Sequence, residues 1–402
     1  MKQRENELGD SPKEKGAQFS APFYHRVVDN FLPQDLFEKV HQEALSREYF
    51  KKNTDLFHFY QTYELKNDAS FQPFLEFLKD KMDIDLCNIK KEVKEKRMDL
   101  FASIYKSGDF LLPHDDCVGQ RVLAFSFYLN DPLASTSDEA GAEKKESTDP
   151  NEKNGALVLY ESDGRTIAKR IAPIANRLVI FEVSGRSYHE VEMMTRGTRM
   201  ALTGWLNSDG HLPESILLDY RPFRYWIFQD TDMTMIPQVT TSNLVSIDTA
   251  QDAEQIEEIT GVLAGLQWKK RLNCVYTSLD EPEEDPSGEI TILPLGLSFV
   301  KSDVIVDVLV GRINKGGYML LNDPFNTDSD ALIVQSLYDG PIVIVDEEGE
   351  IAGKITQPGY YVYYGKGSLF IPPHHAAGYI VAYRVKDIDY MDKDADEQAK
   401  LE

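Results

Sequence analysis

The segment Tyr105-Lys-Ser-Gly108-Asp-Phe-Leu-Leu112-Pro-His114-Asp115-Asp116 runs from an apolar stretch through a glycine turn into His-x-Asp. Leu100–Tyr105 before it reads as a strand, and Gly108 marks the turn. On an extended segment, residues two apart point to one side, so His114 and Asp116 share a face and Asp115 takes the other. An imidazole and a carboxylate placed in this way can share one metal ion.

Outward from this segment the same pattern repeats. Val122–Leu129, Ala156–Tyr160, Arg177–Val183 and Met200–Leu206 are short, β-branched or aromatic runs separated by Gly, Pro, Asn and Asp. They predict an antiparallel sandwich. Residues 134–153 are charged and almost devoid of apolar side chains, which predicts a solvated loop insertion. Upstream, residues 1–20 read as a mobile tail. Leu36, Phe37, Val40, Ala44 and Leu45 recur at helical spacing behind Pro33-Gln34-Asp35, a helix start. Phe71, Phe74, Leu75, Leu78 and Met82 predict a second helix over 71–82, and such amphipathic helices brace the outside of a sheet.

The second half is again strand-rich. A helix is expected near 250–268, then an acidic run with Asp280, Glu281, Glu283, Glu284 and Asp285. Strands are expected at Val304–Val310, Tyr318–Leu321, Ala331–Leu337, Ile342–Val345, Tyr360–Tyr364 and Tyr379–Val385. The fold class is mostly β with flanking α-helices. The expected division is 21–238, then 239–392, then an acidic tail at 393–402.

A third ligand is needed beside His114 and Asp116, and His189, at the end of a strand-like run, is the candidate. Two histidines and one carboxylate form the facial triad of non-haem iron(II) oxygenases. By itself, His-x-Asp is more often a turn than a metal site, and a lone histidine near a strand end is more often structural. Order and spacing strengthen the metal reading. Arg199, ten residues after His189, can clamp a carboxylate through two parallel hydrogen bonds; alone, it would read as a surface ion pair. Tyr105 and Tyr128 can each donate to the same carboxylate, or equally serve as core tyrosines.

Composition sets outer limits. With 402 residues and a formal charge of −24, nonspecific binding to nucleic acid or an anionic membrane is disfavoured and a basic protein partner is compatible. Cys87, Cys117 and Cys274 show neither zinc spacing nor a disulfide framework. The polar N-terminus lacks a signal-peptide core, and no run is long and apolar enough to span a bilayer. Nucleus or cytoplasm is the expected location.

These residues carry a resemblance. Asn53-Thr-Asp55-Leu-Phe-His-Phe-Tyr60-Gln61, the His114 segment, Arg121-Val-Leu-Ala-Phe-Ser-Phe-Tyr128-Leu129, the His189 segment and Arg199 through Trp205 resemble the iron(II)- and 2-oxoglutarate-dependent prolyl 3-hydroxylases that act on a small-subunit ribosomal protein. That family includes the yeast termination and polyadenylation protein and its animal relatives. The resemblance implies two double-stranded β-helix (jelly-roll) domains in tandem, the second degenerate. It implies iron at His114, Asp116 and His189, and 2-oxoglutarate at Arg199 and Tyr128 with help from Tyr105. O2 and ascorbate complete the implied chemistry, with a basic ribosomal protein of the decoding centre as substrate and an effect on translation accuracy or termination. The motifs define the oxidant rather than what is oxidised, so another protein or a nucleic acid stays open as substrate. A non-catalytic adaptor that binds proteins through its jelly-rolls is the reading from another class.

The halves also resemble each other. Lys315-Gly-Gly317-Tyr-Met-Leu320-Leu321-Asn-Asp323 repeats the spacing of Lys106 through His114, so His114 becomes Asp323 and Asp116 becomes Phe325. A duplicated copy without its ligands is expected. His374 and His375 fall near the distal ligand position of that copy and are expected to be structural or superficial.

Overall fold

The computed structural model describes residues 17–19, 21–85, 97–131, 154–207, 244–247, 252–283 and 304–386. The expected tail before Ala17, the insertion at 134–153, Glu284, Asp285 and the acidic tail lie outside them. No helix among the described residues is long and apolar enough to cross a membrane.

Strands β1 (Ala17–Phe19) and β2 (His25–Val28) come first. β1 corrects the expected tail, because Ala17 to Phe19 pair with Val27 to His25. Helix α1 (Gln34–Leu45), strands β3 (Phe50–Asn53) and β4 (Phe57–Gln61) and helix α2 (Gln72–Asp85) follow. The Asp68 carboxylate accepts from Ser70 N at 2.9 Å and caps the turn that leads into α2. Then come β5 (Arg97–Tyr105), β6 (Phe110–His114), β7 (Arg121–Tyr128), β8 (Leu157–Tyr160), β9 (Ile167–Ile171), β10 (Leu178–Glu182), β11 (His189–Val191) and β12 (Arg199–Asn207).

One curled sheet contains them all, in the order β1-β2-β10-β7-β12-β5-β4-β6-β11-β8-β9 with β3 on β4. Phe37, Val40 and Ala44 of α1 and Phe74, Leu75 and Leu78 of α2 pack against Leu100, Phe127 and Leu202 on its outer face. The inner face carries Ala124, Tyr128, Leu157, Leu159, Val179, Phe181 and Ala201. With helices outside and the opposing strands inside, β7 is buried almost throughout. It therefore reads as an unbroken apolar run rather than as alternation.

The second half holds β13 (Leu244–Ile247), α3 (Asp252–Gly265), β14 (Trp268–Lys270), β15 (Asp280–Pro282), β16 (Ile305–Ile313), β17 (Ala331–Leu337), β18 (Ile342–Val345), β19 (Ile351–Ile355), β20 (Gly359–Tyr364), β21 (Ser368–Phe370) and β22 (Gly378–Val385). The helix stops before residue 268 because Trp268 starts a strand paired with Pro282 and packs on Tyr379. Tyr318–Leu321 is not a strand; only Met319 bridges, to Thr277 and Ile371.

The pairing in this half repeats that of the first. β22 lies between β16 and β17 as β12 lies between β5 and β7. β20 joins β17 as β10 joins β7, and β18 carries β19 and β21 as β8 carries β9 and β11. The chain is thus a tandem of jelly-rolls, and the weak repeat at 106 and 315 marks a shared plan. The interior of the second is filled by Leu244, Phe325, Leu332, Ile344, Leu369 and Ile380.

The two jelly-rolls share apolar surface. Leu56, Phe110, Leu112 and Met193 cluster with Tyr318, Leu320, Leu321, Val343, Val345 and Phe370. Val158, Tyr160 and Tyr188 cluster with Cys274, Val275 and Tyr276. Each such side chain contributes roughly 1.5–3 kcal/mol when fully buried, so this is a substantial contact on the back of β6 and β11.

Candidate metal centre

β6 and β11 run antiparallel with His114 directly across from His189, and Leu111 across from Val191. β6 therefore holds one more residue than β11 over this interval, a β-bulge. Leu112 and Phe110 face the second jelly-roll. In an unbroken strand His114 would share their side; the bulge turns its imidazole inward.

Asp116 arrives by another route than strand alternation. Its φ is +61°, a left-handed turn just beyond β6, which aspartate tolerates better than most residues. Asp115 builds this turn: its carboxylate accepts from Cys117 N at 2.9 Å and its carbonyl from Ser187 Oγ at 3.1 Å. The Asp116 carboxylate then lies between the rings, Oδ1 3.5 Å from His114 Nε2 and Oδ2 3.3 Å from His189 Nε2. One ligand atom from each of the three residues falls within 4.8 Å of the others, the only such group of three among the described residues.

Each imidazole is oriented from behind. His114 Nδ1 lies 2.9 Å from Leu112 O and His189 Nδ1 lies 2.7 Å from Ser187 O. A carbonyl only accepts, so Nδ1 bears a proton and Nε2 faces the centre, where it donates to Asp116 when the ring is protonated and presents a lone pair to a metal when the ring is neutral. Burial opposes ionisation of Asp116, but the His114 charge and hydrogen bonds from both histidines hold the carboxyl well below its usual range. Burial would lower His114, and Asp116 outweighs it to raise this histidine. Burial, then the His114 charge, lowers His189. A carboxylate kept ionised between two imidazoles suits a divalent cation.

Two residues missed by the sequence reading as site components complete the setting. Trp205 Nε1 donates to Asp116 Oδ2 at 2.9 Å, and Arg121 NH1 donates to Oδ1 at 3.3 Å. Trp205 projects inward from β12 and Arg121 opens β7. The signal lay in the spacing of Trp205 from Arg199 along one strand.

Arg199 opens β12 opposite Tyr105, two residues before Ala201 opposite Tyr128. Its guanidinium carbon lies 4.9 Å from the Tyr105 ring centre and 5.0 Å from that of Tyr128. The side chain is fully buried, yet among the described residues none of its three nitrogens has a hydrogen-bond partner, nor has the Tyr128 hydroxyl. Burial raises both tyrosines, so both remain proton donors. An unpaired buried cation costs several kcal/mol, and an anionic ligand carboxylate would relieve it. Gly155 lets the backbone approach here: at φ +72°, a Cβ would come 2.3 Å from Met194 Sδ and 3.0 Å from Arg199 Cδ. Phe181, 4.5 Å from His189, belongs to the same apolar cluster as Tyr128.

His374 takes no comparable place. Its carbonyl accepts from Gly316 N at 2.7 Å, level with the turn before Met319. The counterpart of His189 is instead the start of β21, so the distal position expected for His374 is corrected.

Residues 100–207, the segment that carries the His-Asp-His centre, match the family model of the 2OG-Fe(II) oxygenase superfamily. The likeness narrows further. The chain is 33% identical over 201 residues to the mouse prolyl 3-hydroxylase OGFOD1, covering 46% of this chain and 32% of that protein. It is 31% identical over 274 residues to the Xenopus laevis prolyl 3-hydroxylase OGFOD1, covering 63% of this chain and 50% of that protein. The chain thus spans from 32% to 50% of the length of these relatives. A crystal structure of a Pseudomonas putida prolyl-4-hydroxylase aligns with TM-score 0.36 and 21% identity, over 46% of this chain and 92% of that one.

Proposed function

We propose that this chain is an iron(II)- and 2-oxoglutarate-dependent dioxygenase that hydroxylates a prolyl residue of a protein, at carbon 3. The observation that carries this reading is the pairing of a His-Asp-His centre with the orphaned cation of Arg199. A metal site alone would leave the buried guanidinium unexplained.

His114, Asp116 and His189 would hold iron(II) on one face, with the other face open. Arg199 would bind the distal carboxylate of 2-oxoglutarate through parallel N–H bonds, with Tyr128 donating a third and Tyr105 shaping the slot. Bound iron with its 2-oxoacid would supply the oxidant, O2 being split between succinate and the hydroxylated C–H while carbon dioxide leaves. Trp205 and Arg121 hold the Asp116 carboxylate in one orientation. Phe181, Leu159 and Val179 keep the inner wall dry.

The substrate that best matches a chain of charge −24 is a basic protein. We read it as the small-subunit ribosomal protein of the decoding centre, with a consequence for translation accuracy or termination. The nucleus or cytoplasm would be the place of action, with ascorbate as an accessory reductant. Mass spectrometry of that protein after incubation with the chain, iron(II) and 2-oxoglutarate tests this. A prolyl residue that has gained oxygen is expected. Succinate released in step with oxidation of some other substrate would keep the chemistry and overturn the target.

A further inference from the structure

We propose that the Arg384 guanidinium replaces the metal ion in the second jelly-roll, and that through Asn326 it positions the segments backing β6 and β11. The second part rests on the metal reading above; the first does not.

The topology places Arg384 where the centre should be. Tyr383 and Val385 face the cluster under α3, while Ile380 and Ala382 face the interior. Arg384 therefore points inward near the end of β22, as Trp205 does near the end of its counterpart β12. Trp205 reaches Asp116, and Arg384 reaches Phe325, the residue matched to Asp116 by the repeat. Arg384 Nε donates to Phe325 O at 3.0 Å, and its guanidinium carbon lies 4.9 Å from the Phe325 ring centre. NH1 donates to Gly367 O and to Ser329 Oγ, the latter at 3.2 Å. Gly367 immediately precedes β21, the counterpart of the strand opened by His189. Two of the three places that supply metal ligands in the first jelly-roll thus supply neutral acceptors here, converging on a built-in cation, while the third, Asp323, pairs with Arg271 at 2.9 Å.

The group is charged and enclosed. Arg384 is 0% exposed. Burial pulls it down to about 10, which still leaves it protonated at neutral pH. Its partners are carbonyls, a hydroxyl and an amide rather than a carboxylate, the kind of oxygen cage that otherwise surrounds a cation. A planar fork matches acceptors in several directions, and an ammonium does not.

From this point the contacts lead outward. Arg384 NH2 donates to Asn326 Oδ1 at 2.6 Å. Asn326 Nδ2 donates to the carbonyls of Leu321 at 3.2 Å and Leu369 at 2.9 Å, and Oδ1 accepts from Leu369 N at 2.8 Å. Leu321, Leu320 and Phe370 are the side chains that pack on Phe110, Leu112 and Met193. The Leu112 carbonyl orients His114. Arg384 is thus a positioning residue for the first centre.

The test uses the full chain with cobalt(II), whose d–d absorption reports coordination without turnover. Arg384→Ala should weaken cobalt(II) binding by ~10-fold or more, the scale of other outer-shell losses, and should alter the d–d bands. Methylguanidinium should restore both the spectrum and the melting temperature. Arg384→Lys should recover neither, because the charge without the fork is insufficient. A folded Arg384→Ala chain with unchanged cobalt(II) affinity and spectrum overturns the positioning claim, even if it melts lower. Should that variant fail to fold, Asn326→Asp, which keeps an acceptor for Arg384 but loses the donor to Leu321 and Leu369, must show the same cobalt(II) shift; a wild-type spectrum there overturns the claim. Wild-type chain that binds no cobalt(II) would defeat the metal reading, and methylguanidinium recovery of the Arg384→Ala melting temperature would then decide the replacement claim alone.

Discussion

Trp205 and Asp116 are joined by an indole N–H to Oδ2 hydrogen bond of 2.9 Å, and Arg121 stacks 3.6 Å over that indole while reaching Oδ1. The carboxylate is held from two sides and keeps one edge for each imidazole. Trp205→Phe keeps the ring and removes the donor, leaving one oxygen unsatisfied at a cost of roughly 1–3 kcal/mol. Metal affinity should fall by about 10–100-fold while far-ultraviolet circular dichroism stays unchanged. Unaltered affinity by calorimetric titration would reassign Trp205 to packing.

The ligand assignment is tested by contrast within one turn. His114→Ala, Asp116→Ala and His189→Ala should each abolish stoichiometric iron(II) and turnover in a folded chain. Asp115→Ala should act differently: it removes the cap on Cys117 N, loosens the turn and weakens iron binding without abolishing it. If Asp115→Ala strips the metal and Asp116→Ala retains it, the assignment is wrong.

Much of this centre was legible because its chemistry lies in few residues. His-x-Asp, a later histidine and an arginine on the next strand are short patterns with one economical explanation. The means of assembly was not legible. Strand alternation suggested that His114 and Asp116 share a face, yet the bulge in β6 turns His114 inward and a left-handed residue brings Asp116 to it. Both features depend on pairing with β11, which no local window contains. Tyr318–Leu321 failed as a strand for a related reason: its apolar residues are consumed by contact between the jelly-rolls, so burial there does not report a ladder. The match of Asp323 to His114 was readable, but the inward cation of Arg384 was not, since it lies far along the chain on a strand that otherwise reads as apolar.

Cosubstrate recognition should depend on Arg199 more than on any other side chain. Arg199→Ala should raise the 2-oxoglutarate concentration needed for half-maximal turnover by ~100-fold or more, consistent with loss of a buried charged pair worth about 3–5 kcal/mol. Iron(II) affinity should change much less. Gly155→Ala presses a methyl toward Met194 and Arg199 at a left-handed backbone position, which costs about 1–3 kcal/mol. It should raise the same requirement while Arg199 stays in place. Steady-state kinetics with 2-oxoglutarate varied, beside iron titration, checks both; equal loss of iron and 2-oxoglutarate binding would mean a collapsed site.

Acid stability should depend on a corner of the second jelly-roll. Asp280 accepts from Arg312 at 2.7 Å and from Asn314 at 2.8 Å. Burial alone would raise its carboxyl, but these bonds and nearby Lys270 hold it below the usual value. Its folded value lies under its unfolded one, so the stabilisation is present above the ordinary carboxylate range, near 3.8, and is lost as pH falls through the lowered value. Asp280→Asn should therefore lower the melting temperature at neutral pH and converge with the parent chain only once pH has fallen below the lowered Asp280 value. A constant gap between the two melting curves down to acid pH would exclude this linkage.

The second jelly-roll should offer a substrate only its outer surface. Its interior is filled and its cation built in, so any part it has in turnover lies on its surface or in its contact with β6 and β11. The chain carries a formal charge of −24, and Glu347 and Glu348 are exposed together on the β18–β19 turn. Opposite charge speeds encounter with a basic protein and fades as salt rises. Glu347→Lys with Glu348→Lys, in the full chain, should lower kcat/KM for a full-length basic substrate by ~2–10-fold at low salt. It should leave kcat/KM for a short proline-containing peptide unchanged and flatten the salt dependence of the longer one. The turn lies outside the cluster shared with Phe110 and Leu112, so metal affinity should not move. Equal loss on both substrates would place the effect in the first jelly-roll. An unchanged salt profile on the long substrate would remove this face from docking and leave the second jelly-roll only its backing of β6 and β11.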